Sequence, residues 1–238
     1  MKLEIKNITK SFDDKEVLRG INYTFEEGKI YGLLGRNGAG KTTLFNIMNQ
    51  DLPKDNGEII LDGKQLETDD IGYVLSTPVV PDFLTAREFL KFFIDIHKDK
   101  ITEPKTIDQY FDMVGILEED RDRLLRDYSH GMKTKMQIIV NVISNTKILL
   151  LDEPLTSLDV VAAEDMKNIL RSQKNDKIMI FSTHIMELAL TLFDEIVLLK
   201  NGFVEKLDMN DNDGNKLDEE ALKDRIINAL RTAGEANA

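Results

Sequence analysis

Short apolar runs alternate along the chain with segments of helical character. Charged and apolar residues alternate with a period of two at positions 3–6 and 21–25, which predicts strands with one solvated face. Nearly continuous apolar runs at 29–34, 148–151 and 178–182 predict strands buried on both faces. Strands and helices that follow one another in this way form a mostly parallel sheet covered by helices, so the predicted fold class is α/β.

Six segments are predicted as helices, several of them from apolar residues that lie three and four positions apart. They are 41–49, 86–97, 107–117, 131–144, 161–170 and 185–192. The dipeptides Asp62-Gly63 and Asn201-Gly202 are typical of tight hairpin turns, and the second follows a predicted strand at 195–199.

Three of these helices succeed one another without a strand between them. This arrangement predicts a helical subdomain at about 78–145, inserted into the α/β core. Ahead of it we expect an N-terminal antiparallel β subdomain, and residues 1–205 are expected to form one domain. Residues 206–238 are predicted as an acidic extension with one amphipathic helix, whose apolar positions are Leu217, Ala221, Leu222, Ile226 and Leu230.

Composition narrows the classes of protein to which the chain can belong. With 42% hydrophobic and 31% charged residues, it has enough apolar material for a buried core. The absence of cysteine excludes disulfides, thiolate catalysis and cysteine-bound zinc, as is usual in the cytoplasm. The formal charge of −12 argues against an extended nucleic-acid interface. No apolar run approaches the roughly 18 residues of a membrane span, and the start of the chain does not resemble a signal peptide.

A glycine-rich segment between a predicted strand and a predicted helix carries the first chemical signal. Positions 35–42 read GRNGAGKT and fit the phosphate-loop pattern G-x-x-x-x-G-K-[ST]. Its backbone N–H groups and the start of the helix are suited to hold phosphate oxygens. We expect Lys41 to reach the β- and γ-phosphates and Thr42 to bind Mg²⁺, which together predict a nucleoside triphosphate site. The expected nucleotide-binding residues are Gly35, Asn37, Gly38, Ala39, Gly40, Lys41, Thr42 and Thr43.

Two carboxylates follow the buried strand at 148–151. They are Asp152 and Glu153, and the carboxyl ends of parallel strands are where ligands bind in open sheets. We expect Asp152 to hold Mg²⁺ directly or through water, and Glu153 to polarise the attacking water as general base.

The segment Tyr128-Ser129-His130-Gly131-Met132, which precedes these acids, resembles the signature motif of ATP-binding cassette (ABC) ATPases in a variant of its usual LSGGQ form. The resemblance implies that Ser129 and Gly131 contact the γ-phosphate of ATP bound to an opposite subunit. The residue types suit that role, because serine caps helices well and glycine allows close backbone approach.

Three further residues match elements of the same family in the expected order. Asp159 resembles the aspartate of the loop that crosses between two nucleotide sites. His184 resembles the switch histidine that contacts the γ-phosphate, and it would complete the catalytic set with Lys41 and Glu153. Phe12 lies where the family places an aromatic residue that stacks on adenine, although a phenylalanine there also suits the core or a hairpin.

Ser76 marks the main departure from the family pattern. The resemblance implies a glutamine at this position, which touches Mg²⁺ and the attacking water and leads into the helical subdomain. A serine hydroxyl can still bind Mg²⁺, but its side chain is shorter, so we expect altered water positioning or altered coupling to a partner.

The resemblance spans about residues 1–205 and implies an ATP-hydrolysing subunit that requires Mg²⁺. Two copies, or a copy and a similar chain, would sandwich ATP head to tail, and a separate transmembrane permease would carry the cargo. The chain would then be cytoplasmic and peripheral on the inner face of the membrane, in a transporter that is more exporter-like than importer-like. A soluble, non-transport ABC ATPase is the alternative. The signature and switch-histidine motifs oppose a third class, small-molecule kinases.

Phenylalanines are concentrated at the start of the helical subdomain, where the family couples to its permease. We expect most of them to be core residues, with some apolar surface left for the partner. They are Phe83, Phe89, Phe92 and Phe93.

Overall fold

The computed structural model describes residues 1–101, 104–184, 186–211, 214–215 and 217–231. Within that part of the chain the strands are β1 (Lys2–Phe12), β2 (Lys15–Glu26), β3 (Lys29–Leu34), β4 (Asn56–Leu61), β5 (Lys64–Gln65), β6 (Ile71–Val74), β7 (Ile148–Asp152), β8 (Ile178–Ser182), β9 (Glu195–Lys200) and β10 (Phe203–Leu207). The α-helices are α1 (Lys41–Met48), α2 (Ala86–His97), α3 (Ile107–Met113), α4 (His130–Ser144), α5 (Val160–Ser172), α6 (Met186–Thr191) and α7 (Glu219–Arg231).

The strands form two sheets. The larger sheet has the order β10-β9-β3-β8-β7-β6, and all its neighbours are parallel except β10, which pairs antiparallel with β9. The smaller sheet, β2-β1-β4-β5, is antiparallel. With α2, α3 and α4 inserted between β6 and β7, this arrangement confirms the predicted α/β fold, with its antiparallel β subdomain and helical subdomain.

The central strands of the larger sheet are buried on both faces, which explains their continuous apolar sequences; they are β3, β7, β8 and β9. In β3, Ile30 and Leu34 pack into the core on the helical side, whereas Tyr31 and Leu33 face the smaller sheet and α1. Strand β7 divides its residues in the same alternating way. A sheet sandwiched in this way holds the ends of its strands in fixed relative positions, and the candidate site lies at those ends.

Most predicted strands and helices are present in the structure, and two of the differences have local causes. The first two strands are much longer than predicted, because β1 contains register shifts near Ile8 and a left-handed Asn7 that interrupt the alternation. The helix predicted at 107–117 ends at Met113, since Gly115 adopts a left-handed φ of 62°. The predicted start of α6 at Ile185 and positions 212–213, 216 and 232–238 of the extension lie outside the described residues.

The expectation that most phenylalanines of the helical segment are core residues is wrong. Phe83 is 79% exposed and Phe92 is 59% exposed, while Phe89 and Phe93 are half-buried. Helix α2 buries Ala86 and Leu90, and a residue two positions from Leu90 lies about 200° around the helix. Phe92 therefore faces away from the core.

The acidic extension is packed against the rest of the fold. Leu222 and Ile226 of α7 are buried in the core on the helical side of the larger sheet. The Arg225 guanidinium donates to the carbonyl oxygens of Asp208 and Asn210 at 3.1 and 2.7 Å, which holds the preceding loop against the helix. Among the residues described here, every helix is too short or too polar to traverse a lipid bilayer.

Gly32 of β3 supplies a test of this packing. A Cβ atom at Gly32 would lie 2.1 Å from Cδ2 of Phe193, a buried side chain. We expect Gly32→Ala to lower the free energy of unfolding by about 1–3 kcal/mol through overpacking, as measured by chemical denaturation. Adding Phe193→Leu should recover part of the loss by making room for the methyl group. Unchanged stability of Gly32→Ala would contradict this packing.

Candidate active site

The phosphate-loop motif connects β3 to α1, and its glycines serve different purposes. Gly38 and Gly40 adopt left-handed φ angles of 77° and 106°, which residues with a Cβ atom rarely adopt. Gly35 is needed for space, because a Cβ atom there would lie 2.7 Å from the carbonyl oxygen of Leu199 in β9. The loop shape thus depends on all three positions.

Lys41 opens α1 and is almost fully buried. Its ammonium donates to the carbonyl oxygen of Gly35 at 2.8 Å and to that of Arg36 at 3.4 Å. Burial lowers the pKa of Lys41, and the negative charges of Glu153 and Asp152 only partly oppose that effect. The loop therefore holds a desolvated cation whose charge the protein alone does not fully compensate.

Thr42 and Asp152 bring the two predicted motifs together. The Thr42 hydroxyl donates to Oδ2 of Asp152 at 3.0 Å, although the residues are 110 positions apart in sequence. Asp152 ends β7 and is only 3% exposed. Burial raises its pKa, and the hydrogen bond from Thr42 and the charge of Lys41 act in the opposite direction.

Glu153 follows the end of β7 with a strained backbone. Its φ angle is 51°, and its N–H donates to the carbonyl oxygen of Ser182 at 2.9 Å, which fixes the turn. The Thr183 and Thr156 hydroxyls donate to Oε2 at 3.1 and 3.2 Å. Nδ1 of His184 lies 2.7 Å from Oε1, and since the carboxylate can only accept, this nitrogen is assigned as the donor.

A cleft of about 970 Å³ lies over these groups. The predicted site residues that line it are Phe12, Asn37, Gly38, Gly40, Lys41, Thr42, Thr43, Ser76, Asp152 and Glu153. Phe12 is 45% exposed, so its ring is not a core residue. The cleft joins the β1–β2 turn, the phosphate loop and the ends of β6 and β7, segments that are distant in sequence.

Three more predicted residues lie beside this cleft. His184, Gly35 and Asn37 line an adjoining cleft together with Thr183 and Leu230 of α7. Ala39 lines a third cleft on the outer side of the phosphate loop. His184 is thus next to the phosphate loop and bonded to Glu153.

The signature residues are not among those that line the cleft of their own chain. The Ser129 hydroxyl accepts from the N–H of Met132 at 3.2 Å and caps α4. A Cβ atom at Gly131 would lie 2.8 Å from the carbonyl oxygen of Ser157, so this glycine allows α4 to approach the 154–159 loop. Asp159 caps α5 by accepting from the N–H groups of Val161 and Ala162.

The two threonines that hold Glu153 were not predicted from the sequence. Thr183 directly precedes His184, and Thr156 lies three positions after Glu153. A hydroxyl this close in sequence to a predicted catalytic residue is a signal that could have found them. Asp13 and Asp14 of the β1–β2 turn and Lys15 at the start of β2 also line the cleft beside Phe12, and none of the three was predicted from the sequence.

A family model described as ABC transporter matches residues 18–156, more than half of the chain. The chain belongs to the ABC transporter family. The match contains the phosphate loop, the signature segment and both carboxylates at the end of β7. As a member of this family, the chain is an ATP-binding subunit or domain, with the ATPase fold described above.

Two curated relatives cover most of the chain. An uncharacterised ABC transporter ATP-binding protein of Methanocaldococcus jannaschii is 36% identical over 84% of this chain and 75% of the relative. The lantibiotic transport ATP-binding protein SrtF of Streptococcus pyogenes is 30% identical over 94% of this chain and 97% of its own length.

A solved structure shares the fold. It is a dimeric post-hydrolysis state of an ATP-binding cassette bound to ADP and Pi, and it superimposes with a TM-score of 0.72. The match covers 87% of this chain and 99% of that chain at 22% identity, so it supports the fold.

Because the Asp152 carboxylate is buried, we expect Asp152→Asn to be more stable than the wild type by an amount that depends on pH. Because burial raises the pKa of Asp152, its stabilising contribution is complete at low pH and is lost as the pH rises through the folded-state pKa. We expect the ligand-free variant to unfold at a higher temperature than the wild type at pH 7, and the difference to narrow on acidification.

The matched control is Asp95→Asn, at an exposed position of α2. It should leave the wild-type melting curve unchanged. A lower melting temperature for Asp152→Asn at pH 7 would count against the electrostatic account of the site.

Proposed function

We propose that this chain binds ATP with Mg²⁺ and hydrolyses ATP as the ATP-binding subunit of a transporter. The observation that carries the proposal is the 3.0 Å contact between the Thr42 hydroxyl and the Asp152 carboxylate in the cleft that Lys41 and Glu153 also line. Residues 1–205 would form the ATPase domain, with 206–238 as an acidic C-terminal extension.

The electrostatics of the cleft fit a nucleotide with its metal. Lys41 and Asp152 are both desolvated, and burial shifts each pKa toward the neutral form. A phosphate chain would compensate the lysine, and a divalent cation would compensate the aspartate, so one metal–nucleotide complex offsets both costs.

The donor set suits a hard cation. Thr42, Asp152 and Ser76 present hydroxyl and carboxylate oxygens to the cleft, the ligand type that Mg²⁺ prefers. When bound, Mg²⁺ would neutralise charge on the phosphate oxygens. Lys41 would hold the β- and γ-phosphates, while Asn37, Gly38, Gly40 and Thr43 form the cradle and the exposed ring of Phe12 stacks on adenine.

Glu153 is the proposed general base. Its Oε1 accepts one hydrogen bond from His184, which leaves a lone pair to take a proton from a water molecule. Thr183 and Thr156 hold Oε2, so the carboxylate has a fixed orientation before any ligand arrives. His184 orients Glu153 and, at the edge of the phosphate loop, would contact the γ-phosphate.

We also propose that two chains act together, each using the other's signature motif. Ser129, Gly131 and Asp159 do not line the cleft of their own chain, which leaves them free to serve a second copy or a similar chain. The related cassette of known structure is dimeric and bound to ADP and Pi, which supports this arrangement.

The proposed partner is a separate transmembrane permease, with the chain on the inner face of the membrane. Phe92 and Ile96 are exposed one helical turn apart on α2, and Phe83 is exposed ahead of that helix. Exposed apolar side chains of this size are typical of interaction surfaces. The lantibiotic transport relative supports a role in transport, and the form of the signature motif favours an exporter.

Glu153→Gln tests the proposed chemistry. The amide keeps the shape of the side chain but is a far weaker base, so we expect ATP hydrolysis to fall about 100-fold or more while ATP binding is retained. Hydrolysis is measured by phosphate release and binding by titration calorimetry with MgATP.

Glu164→Gln is the matched control, since Glu164 pairs with Lys167 on the exposed side of α5. It should hydrolyse ATP at the wild-type rate. Near-normal hydrolysis by Glu153→Gln would remove Glu153 as the base, and failure of the wild type to bind MgATP would remove the proposed function itself.

Purification from detergent-solubilised cells distinguishes a transporter subunit from a soluble, non-transport ABC ATPase. A tagged chain should bring down an integral membrane protein, and Phe92→Ser should weaken that association without changing basal hydrolysis. Recovery of the chain without any membrane protein would favour a soluble, non-transport ABC ATPase.

A further inference from the structure

The first turn of α4 is bonded to the loop that precedes α2. Nε2 of His130 lies 3.1 Å from the carbonyl oxygen of Ser76, and the Lys133 ammonium lies 3.3 Å from Oδ1 of Asp82. Because a carbonyl oxygen can only accept, Nε2 of His130 carries the hydrogen in this contact. The two bonds join residues 54 and 51 positions apart, so they connect separate segments of the chain.

The same turn also contacts a second loop. Gly131 allows the backbone of α4 to approach the carbonyl oxygen of Ser157, where a Cβ atom would be 2.8 Å away. The Thr134 hydroxyl lies 3.4 Å from the Ser157 hydroxyl. This second loop begins directly after Glu153.

Both loops lead from the candidate active site to the start of α4. Ser76 and Glu153 line the cleft of the chain, whereas Ser129 and Gly131 do not. The contact between His130 and Ser76 is therefore a direct link between the chain's own cleft and the motif that it would offer to another chain.

His130 makes this link with a side chain that few other residues could supply. A glycine or alanine at this position would leave the Ser76 carbonyl oxygen without its donor. Both residues are exposed, so water can replace the lost hydrogen bond at little cost in stability. The contact consequently contributes to the geometry of the loop more than to the stability of the fold.

We propose that His130 is a positioning residue that ties the start of α4 to the loop at Ser76. Through this bond the signature motif follows the position of the loop that lines its own chain's cleft. His130 acts through Ser76 and does not itself line that cleft. This inference rests on the proposed function, in which the signature motif completes the site of a second chain.

Steady-state kinetics of His130→Ala and His130→Gln test the role of the hydrogen bond from His130 to Ser76. Loss of one neutral hydrogen bond is expected to lower kcat about 3- to 10-fold in His130→Ala, with the KM for ATP within about twofold of the wild type. His130→Gln should recover most of kcat, because its amide N–H can donate to the same carbonyl oxygen.

His97→Ala is the control, since Nδ1 of His97 bonds to the carbonyl oxygen of Phe93 within its own helix. It should leave both kinetic constants unchanged. Wild-type kcat in His130→Ala, or a His130→Gln variant as impaired as His130→Ala, would overturn the proposal.

Amide hydrogen exchange tests the same hydrogen bond without relying on ATP hydrolysis. In the nucleotide-free chain, His130→Ala should speed exchange in the 76–80 segment about threefold or more, and His97→Ala should not. Unchanged exchange in His130→Ala would overturn the proposal, whereas absence of ATP hydrolysis in the wild type would overturn the proposed function alone.

Discussion

The parallel pairing of β3, β8 and β7 is the constraint on which the rest of the structure depends. Its register places Leu33 beside Ser182 and Ser182 beside Asp152, so the phosphate loop, the switch histidine and both carboxylates leave the sheet at one edge. The strands are buried on both faces, and a close-packed sheet of this kind resists relative sliding of its strands. Chemistry that needs groups from three distant segments therefore rests on a rigid base.

The site built at that edge is electrostatically costly in the protein alone. Lys41 and Asp152 are desolvated charges with shifted pKa values, and Glu153 has a left-handed backbone. Strain and buried charge of this kind are common where a protein is organised for a ligand, because the ligand compensates what the fold does not. The three donors on the Glu153 carboxylate extend this organisation to the base itself.

The helical segment between β6 and β7 contacts the loops that flank the cleft. Helix α4, which begins within the signature segment, packs against the loops at Ser76 and Ser157, and each of these loops adjoins the cleft. The α7 helix contributes on the opposite side, where Leu230 reaches the cleft shared by His184 and Asn37. Segments that look peripheral in the sequence are thus in contact with the phosphate loop or with the loops that flank it.

The sequence alone determined the α/β class and predicted the phosphate loop and the acidic pair, because each rests on a local pattern with a fixed physical requirement. The signature segment was recognised from its resemblance to a family motif. Glycines at left-handed positions, carboxylates after a buried strand and a serine at a helix start are readable in short windows of sequence. Only the tertiary structure decided which of these sequence segments contact one another. The bond from Thr42 to Asp152, the threonines around Glu153 and the tie from His130 to Ser76 depend on strand register and loop packing. The exposure of Phe83 and Phe92 depends likewise on which side of a small helical layer has neighbours, a property that periodicity leaves open.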